Sequence, residues 1–356
     1  MRGLIVTLTG EYNYGNRLQN YALQEILKNT GMEVETYNNI YLDHKTTEIK
    51  KRINSRGFKR IINGIKRRIG IGSRNKISMK KRTEKIKGFT KKYINVSNKQ
   101  KEELNSNYDI FVLGSDQIWN PNFTNDFEIN LGIVGKGKKV ISYAASFGID
   151  EINSEIYDMY RKSIMDMDSI SVREEEGKKI VEKISGKSAE VVLDPTMLIH
   201  EKDWKKIEKK PENWCEEEYL LVYCVSKTYS KMKKYIKKVA DKYNLKIINL
   251  TDKSREEYIS GVEEFLYYID NAKMIITDSF HACVFSILFR KNFWVMERKQ
   301  KGMNSRIDTL LETFNIINRK LYEGQNFESC NYDNLDKILE EKRDKSLRFL
   351  YNALGI

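Results

Sequence analysis

The residues best suited to chemistry in this chain stand directly after apolar, strand-like runs. His281 follows the run 273–277 and opens a helical stretch, 280–290, with Asp278 or Ser279 placed to cap it. A histidine there lies at the positive end of a helix dipole, where phosphate or carboxylate is favoured. It is also a proton donor or acceptor near neutral pH. The alternative is a histidine that only binds an anion or completes a hydrogen-bond network. Arg173 follows the run 169–172, and a guanidinium there can grip an anion with two parallel hydrogen bonds. Its alternative is a salt bridge to the acids at 174–176. Arg298, Lys299 and Arg306 follow the run 292–296; each alone reads as a solvated surface charge.

Asp116, Gln117 and Trp119 follow the run 109–113. A carboxylate there could orient or deprotonate a sugar hydroxyl, and an indole could stack on a pyranose. A turn cap and a core tryptophan are the equal alternative. Gly15, Asn16 and Arg17 sit in a polar loop at a helix start, which suits an anion or sugar contact. Cys283, two residues after His281, points to another helix face and reads as buried packing. Asp194-Pro195 reads as a strand terminator.

Strand-like runs at 4–9, 33–37, 109–113, 139–145, 169–172 and 190–193 alternate with helical spacing. A second series has strands at 219–225, 245–250, 273–277 and 292–296, with a polar link at 200–218. The pattern predicts an α/β protein of two Rossmann-like domains, 1–205 and 215–330, facing a cleft, with a last helix in 331–356. A ligand is expected at the carboxyl ends of the strands. One stretch breaks the rhythm. Residues 50–92 hold 18 Lys and Arg and one acid, Glu84, whereas the whole chain carries +13, so the remainder is slightly acidic. Phe58, Ile61, Ile62, Ile65 and Ile69 make an apolar stripe among these charges. This predicts a basic helical insertion: an amphipathic helix over 58–69, a joint at Ile69-Gly70-Ile71-Gly72-Ser73, and a second basic helix. Such a segment suits an anionic membrane surface; the alternative is that the stripe packs on its domain and the charges are solvated.

Composition bounds the function. The chain of 356 residues is 40% hydrophobic with a mean hydropathy of −0.60, which argues against disorder and against a membrane span. No apolar leader follows Met1, and four scattered cysteines form no disulfide framework, so the cytosol is the expected compartment. Three histidines are too few for a His-rich metal site, and no metal is expected. The localised charge speaks against a nucleic-acid partner.

Six segments in order carry a resemblance. They are Asn13-Tyr14-Gly15-Asn16, the segment from Val112 to Asn120, that from Ser142 to Gly148, Ser171-Val172-Arg173-Glu174, Leu193-Asp194-Pro195-Thr196, and that from Thr277 to Ala282. Together they resemble the polysaccharide pyruvyl transferase family over about residues 1–320. The resemblance implies a fold similar to two-domain GT-B glycosyltransferases. It also implies transfer of the enolpyruvyl group of phosphoenolpyruvate, a co-substrate rather than a cofactor, onto two hydroxyls of a sugar or lipid-linked oligosaccharide. It marks His281 as acid or donor contact, Arg173, Ser279, Arg298 and Arg306 as donor-binding, and Asn16, Arg17, Asp116, Gln117 and Trp119 as acceptor-binding. Many members carry Arg two residues before the motif histidine, where this chain has Ser279, and Gly-Asp where it has Gly15-Asn16. A nucleotide-sugar glycosyltransferase, or a non-catalytic sugar-binding member of the fold, are the alternatives.

Overall fold

The computed structural model describes residues 1–11, 13–38, 69–123, 126–212, 214, 216–226, 229–298, 304–325 and 327–356. Six strands, β1 (Arg2–Val6), β2 (Glu33–Thr36), β3 (Ile110–Leu113), β4 (Lys139–Ala145), β5 (Ser169–Val172) and β6 (Glu190–Val191), form one sheet in the order β2-β1-β3-β4-β5-β6. Four more, β7 (Tyr219–Tyr223), β8 (Lys246–Asn249), β9 (Met274–Thr277) and β10 (Phe293–Val295), form a second in the order β10-β9-β7-β8. Every pairing in both sheets is parallel. Helices cover both faces of such sheets, so central strands are apolar throughout rather than alternating. Ile-Phe-Val-Leu in β3 and Met-Ile-Ile-Thr in β9 are buried at every position.

Two helices tie the sheets together. The helix Ile69–Tyr93 runs through the residues expected to form a joint. Ser78, Arg82, Ile86 and Phe89, three or four residues apart, give it one buried stripe. Docking that stripe outweighs glycine's low helix propensity, about 1 kcal/mol per residue. On one side Gln24 Nε2 donates to Tyr93 O and Gln24 Oε1 accepts from Asn95 N. On the other, Arg82 donates to Leu250 O (2.8 Å) and Tyr258 O (3.2 Å), with its guanidinium over the rings of Tyr14 and Tyr258. The amphipathic helix expected over 58–69 lies, up to residue 68, outside the described residues.

The last helix, Asp333–Leu354, begins against the second domain and ends on the first. Tyr332 Oη donates to Lys291 O at its start. Further on, Arg343 Nε donates to Met197 O, Ser346 Oγ accepts from Leu193 N, and Lys139 Nζ donates to Leu354 O. One apolar cluster accordingly spans Leu18, Trp204, Phe265, Phe285 and Leu350 without a break.

Arg82→Ala removes a charged donor from two buried carbonyls. The variant is expected to lose about 2–3 kcal/mol of stability, read from its denaturant midpoint; an unchanged midpoint would show that the crossing helix does not bear on the domain contact.

Candidate active site

Three strand ends of the first sheet meet a helix start of the second. Arg173, one residue past β5, is fully enclosed. Its Nη1 donates to Asp194 Oδ2 at 2.6 Å and its Nη2 to Asp116 Oδ1 at 3.1 Å. Its guanidinium also lies 4.3 Å from the centre of the Phe280 ring. Asp194 is fixed from the other side by Thr196, whose N and Oγ1 both donate to Oδ1, and by Ser115 Oγ. His281 Nε2 stands 3.6 Å from Asp194 Oδ2, beyond hydrogen-bond length, and has no partner.

The ring of His281 lies against the backbone of Gly15. A Cβ there would fall 2.1 Å from His281 Nδ1, so only glycine admits this contact between the helices Tyr14–Lys28 and Phe280–Leu288. Asp116 holds φ at 66°, a left-handed conformation that aspartate tolerates, and its Oδ1 accepts from Gln117 N. Glu174, the next residue after Arg173, accepts from Ser146 Oγ and Phe147 N through Oε1 and so shapes the loop after β4; its Oε2 is buried without a partner.

These charges perturb one another. Burial opposes ionisation of Asp194, but His281 and Arg173 overcome it and hold its carboxyl far below the usual range. Burial likewise opposes ionisation of Asp116, and Arg173, His281 and Arg306 bring its carboxyl down. Burial alone dominates at Glu174, whose carboxyl is raised. Burial, with Arg173 beside it, pushes the Arg306 guanidinium down to about 10.

A cleft of about 370 Å³ opens above this cluster. Asn16, Asp116 and Gln117 line it from the first domain, and Ser279, His281, Arg298 and Arg306 from the second. Ser279 occupies the N-cap position of the helix Phe280–Leu288, although its side chain makes no capping bond. Arg298 donates through Nε to Asp278 O, and Arg306 Nη1 stands 3.9 Å from Asp116 Oδ1.

Three of the residues expected at the site are placed elsewhere. Trp119 is wholly buried with its ring 5.1 Å from that of Phe147, so it belongs to the core and offers no face to a sugar. Arg17 turns inward and donates to Leu8 O, bracing the loop from beneath rather than meeting an acceptor. Arg173 lies below the cleft and does not line it: two carboxylates take its Nη atoms, and its Nε is buried without a partner. Its partners are Asp194 and Asp116 rather than the acids at 174–176. Lys299 lies outside the described residues. Asp194, read from sequence as a strand terminator, is the hub of the cluster. Its signals were a carboxylate at a strand end and its place in the segment Leu193-Asp194-Pro195-Thr196. Cys283 is buried, as its helical offset implies.

Two parallel sheets whose carboxyl ends face one cleft define a GT-B-like α/β architecture. A solved structure shares it. The UDP-GlcNAc 2-epimerase of Methanocaldococcus jannaschii matches 99% of this chain and 100% of its own, with 13% identity and a TM-score of 0.51. The UDP-GlcNAc 2-epimerase of Neisseria meningitidis, solved with UDP-GlcNAc bound, matches 99% of each chain at 10% identity and a TM-score of 0.48. At sequence level, the model of the polysaccharide pyruvyl transferase family matches residues 13–300, and the chain belongs to that family. No curated protein matches it. Among the described residues, no helix is long and apolar enough to cross a membrane.

Because the Asp194 carboxyl is depressed in the folded state, its ionised form contributes stability that is complete above about pH 4 and is lost as pH falls. Asp194→Asn is therefore expected to cost about 3–5 kcal/mol at neutral pH, by leaving Arg173 half-paired. It should also flatten the acid limb of stability against pH. Parallel acid limbs in variant and wild type would contradict the assignment.

Proposed function

We propose that this chain transfers the enolpyruvyl group of phosphoenolpyruvate to two hydroxyls of a sugar in a cell-surface polysaccharide precursor, forming a pyruvate ketal and releasing phosphate. The family supplies the reaction class. The observation that carries the reading is His281 in the first turn of a helix, on one cleft with Arg298 and Arg306. Ketal formation starts by protonating the methylene carbon of the enol, which leaves a cation-like centre at the carbon bearing phosphate. His281 is the acid for that step. Having given its proton, the neutral imidazole can take one from an attacking hydroxyl. Asp194, whose ionised form is favoured by its surroundings, faces the ring from 3.6 Å.

The donor's phosphate and carboxylate are held by Arg306, by Arg298 and by the uncapped first turn at Ser279. Arg306 takes the larger share. Arg298 is already tethered to Asp278 O, whereas Arg306 Nε has no partner and the side chain is nearly buried. A desolvated guanidinium short of partners favours an anion strongly. This supplies the cation that Ser279 does not. Asn16, whose buried Oδ1 also has no partner, accepts from a sugar hydroxyl, and Asp116 and Gln117 face the same acceptor.

Thermal unfolding with phosphoenolpyruvate, phosphate and UDP tests the donor. A ligand at one hundred times its Kd adds about 2.7 kcal/mol to the folded state. Phosphoenolpyruvate should stabilise wild type beyond phosphate alone. His281→Ala should weaken that effect, and Arg306→Gln should raise the Kd by roughly 10–100-fold, more than Arg298→Gln does. A shift with UDP and none with phosphoenolpyruvate would replace this reading by a nucleotide-sugar enzyme.

The acceptor is a sugar or lipid-linked oligosaccharide, and the basic stretch 50–92 brings the enzyme to an anionic membrane. Its described part supports this: Lys76, Lys80, Lys81, Lys87 and Lys91 are exposed on the helix Ile69–Tyr93, along with Ile77. Anionic vesicles should retain the protein at low salt and release it at high salt. Equal retention by neutral vesicles would refute the contact.

A further inference from the structure

Phe280 and Arg306 line two cavities at once. One is the cleft; the other, of about 300 Å³, lies behind them against the ends of β5 and β6, the helix Ser305–Thr313 and the last helix. In this rear cavity Arg173 is already ion-paired to Asp194 and Asp116, with its Nε left without a partner. The remaining cations are Lys178, Arg306, Lys342 and Lys345, against the acids Glu175 and Glu190. Their pairings are loose: Lys345 is 3.9 Å from Glu190 and Lys178 is 4.0 Å from Glu182. The nearest carboxylate oxygen to Arg306 is also 3.9 Å away, and its Nε is buried without a partner. Burial holds this guanidinium in a place where it lacks the donors' usual acceptors, with a basic cavity on its far side.

We propose that the rear cavity binds a second, phosphate-bearing ligand through Arg306, Lys342 and Lys345, and that this ligand competes with the donor in the cleft for Arg306. The phosphate arises either as inorganic phosphate released in the cleft or as part of a phosphorylated sugar. The competition rests on the proposed donor site; the rear site itself does not. A single guanidinium between two anion sites makes them antagonistic, and linkage requires each ligand to weaken the other by the same factor.

Calorimetric titration of the full chain with inorganic phosphate, and separately with glucose 1-phosphate, tests both parts. Lys342 and Lys345 are exposed, so Lys342→Glu/Lys345→Glu should keep the wild-type unfolding midpoint; Lys342→Ala/Lys345→Ala serves if it does not. Wild type is expected to bind two equivalents of phosphate and the double variant one. A single equivalent that survives the double substitution overturns the rear site and leaves the cleft reading standing. A single equivalent abolished by it keeps the rear site and removes the anion from the cleft. No binding of either ligand overturns the rear site. Glucose 1-phosphate binding at least tenfold tighter than phosphate to the rear site identifies a phosphorylated sugar, and equal binding identifies the released ion. Phosphate should raise the Kd for phosphoenolpyruvate more in wild type than in the double variant, where only the cleft equivalent remains to compete; an equal rise in both overturns the competition.

Discussion

Arg173 is the constraint around which the site is arranged. Enclosing a guanidinium costs several kcal/mol unless carboxylates compensate it. Here two do, Asp116 and Asp194, and they come from different strand ends. The ion cluster therefore fixes the loops after β3, β5 and β6 relative to one another. It also gives His281, arriving from the other sheet, a carboxylate neighbour whose ionised form its surroundings favour. The floor of the cleft is paired from within, and the cations that line the cleft above it are Arg298 and Arg306.

That arrangement holds only while the two sheets keep their spacing. His281 belongs to the second domain, yet it rests on Gly15 of the first, and the contact tolerates no added methyl. The crossing helix Ile69–Tyr93 and the last helix supply the spacing. Arg82 stacks on Tyr14, the residue before Gly15, while Tyr14 Oη donates to Ser260 O across the boundary. Domain contact and placement of the acid are thus parts of one packing problem. A basic helix that looks like an appendage in composition is, on its inner face, a structural brace, with its lysines exposed on the outer face.

The chemistry proposed here asks for an acid, a place for a dianion, and polar groups for a sugar. The helix start at Ser279 and His281 answers the first two, with Arg306 filling the place of the family's usual arginine from a different element. Arg306 reaches the cleft from the helix Ser305–Thr313 rather than from the loop before His281, and from there it also borders a second cavity.

The sequence by itself determined the strand runs, their parallel α/β order and the positions where chain leaves each strand, because burial on both faces writes continuous apolar runs and function collects just past them. That His281, Asp116, Asn16, Ser279 and Arg306 line the cleft follows that rule. What local pattern does not encode is the direction in which a side chain turns after the strand ends. Trp119 and Arg17 turn into the core, Arg173 turns beneath the cleft, and Asp194, one residue before a proline, turns to the centre of the charge cluster. Those outcomes depend on which distant partner removes each polar group's desolvation cost, and the partners stand far apart in the chain, Asp116 and Asp194 for Arg173, Gly15 for His281. Only the tertiary structure brings them together.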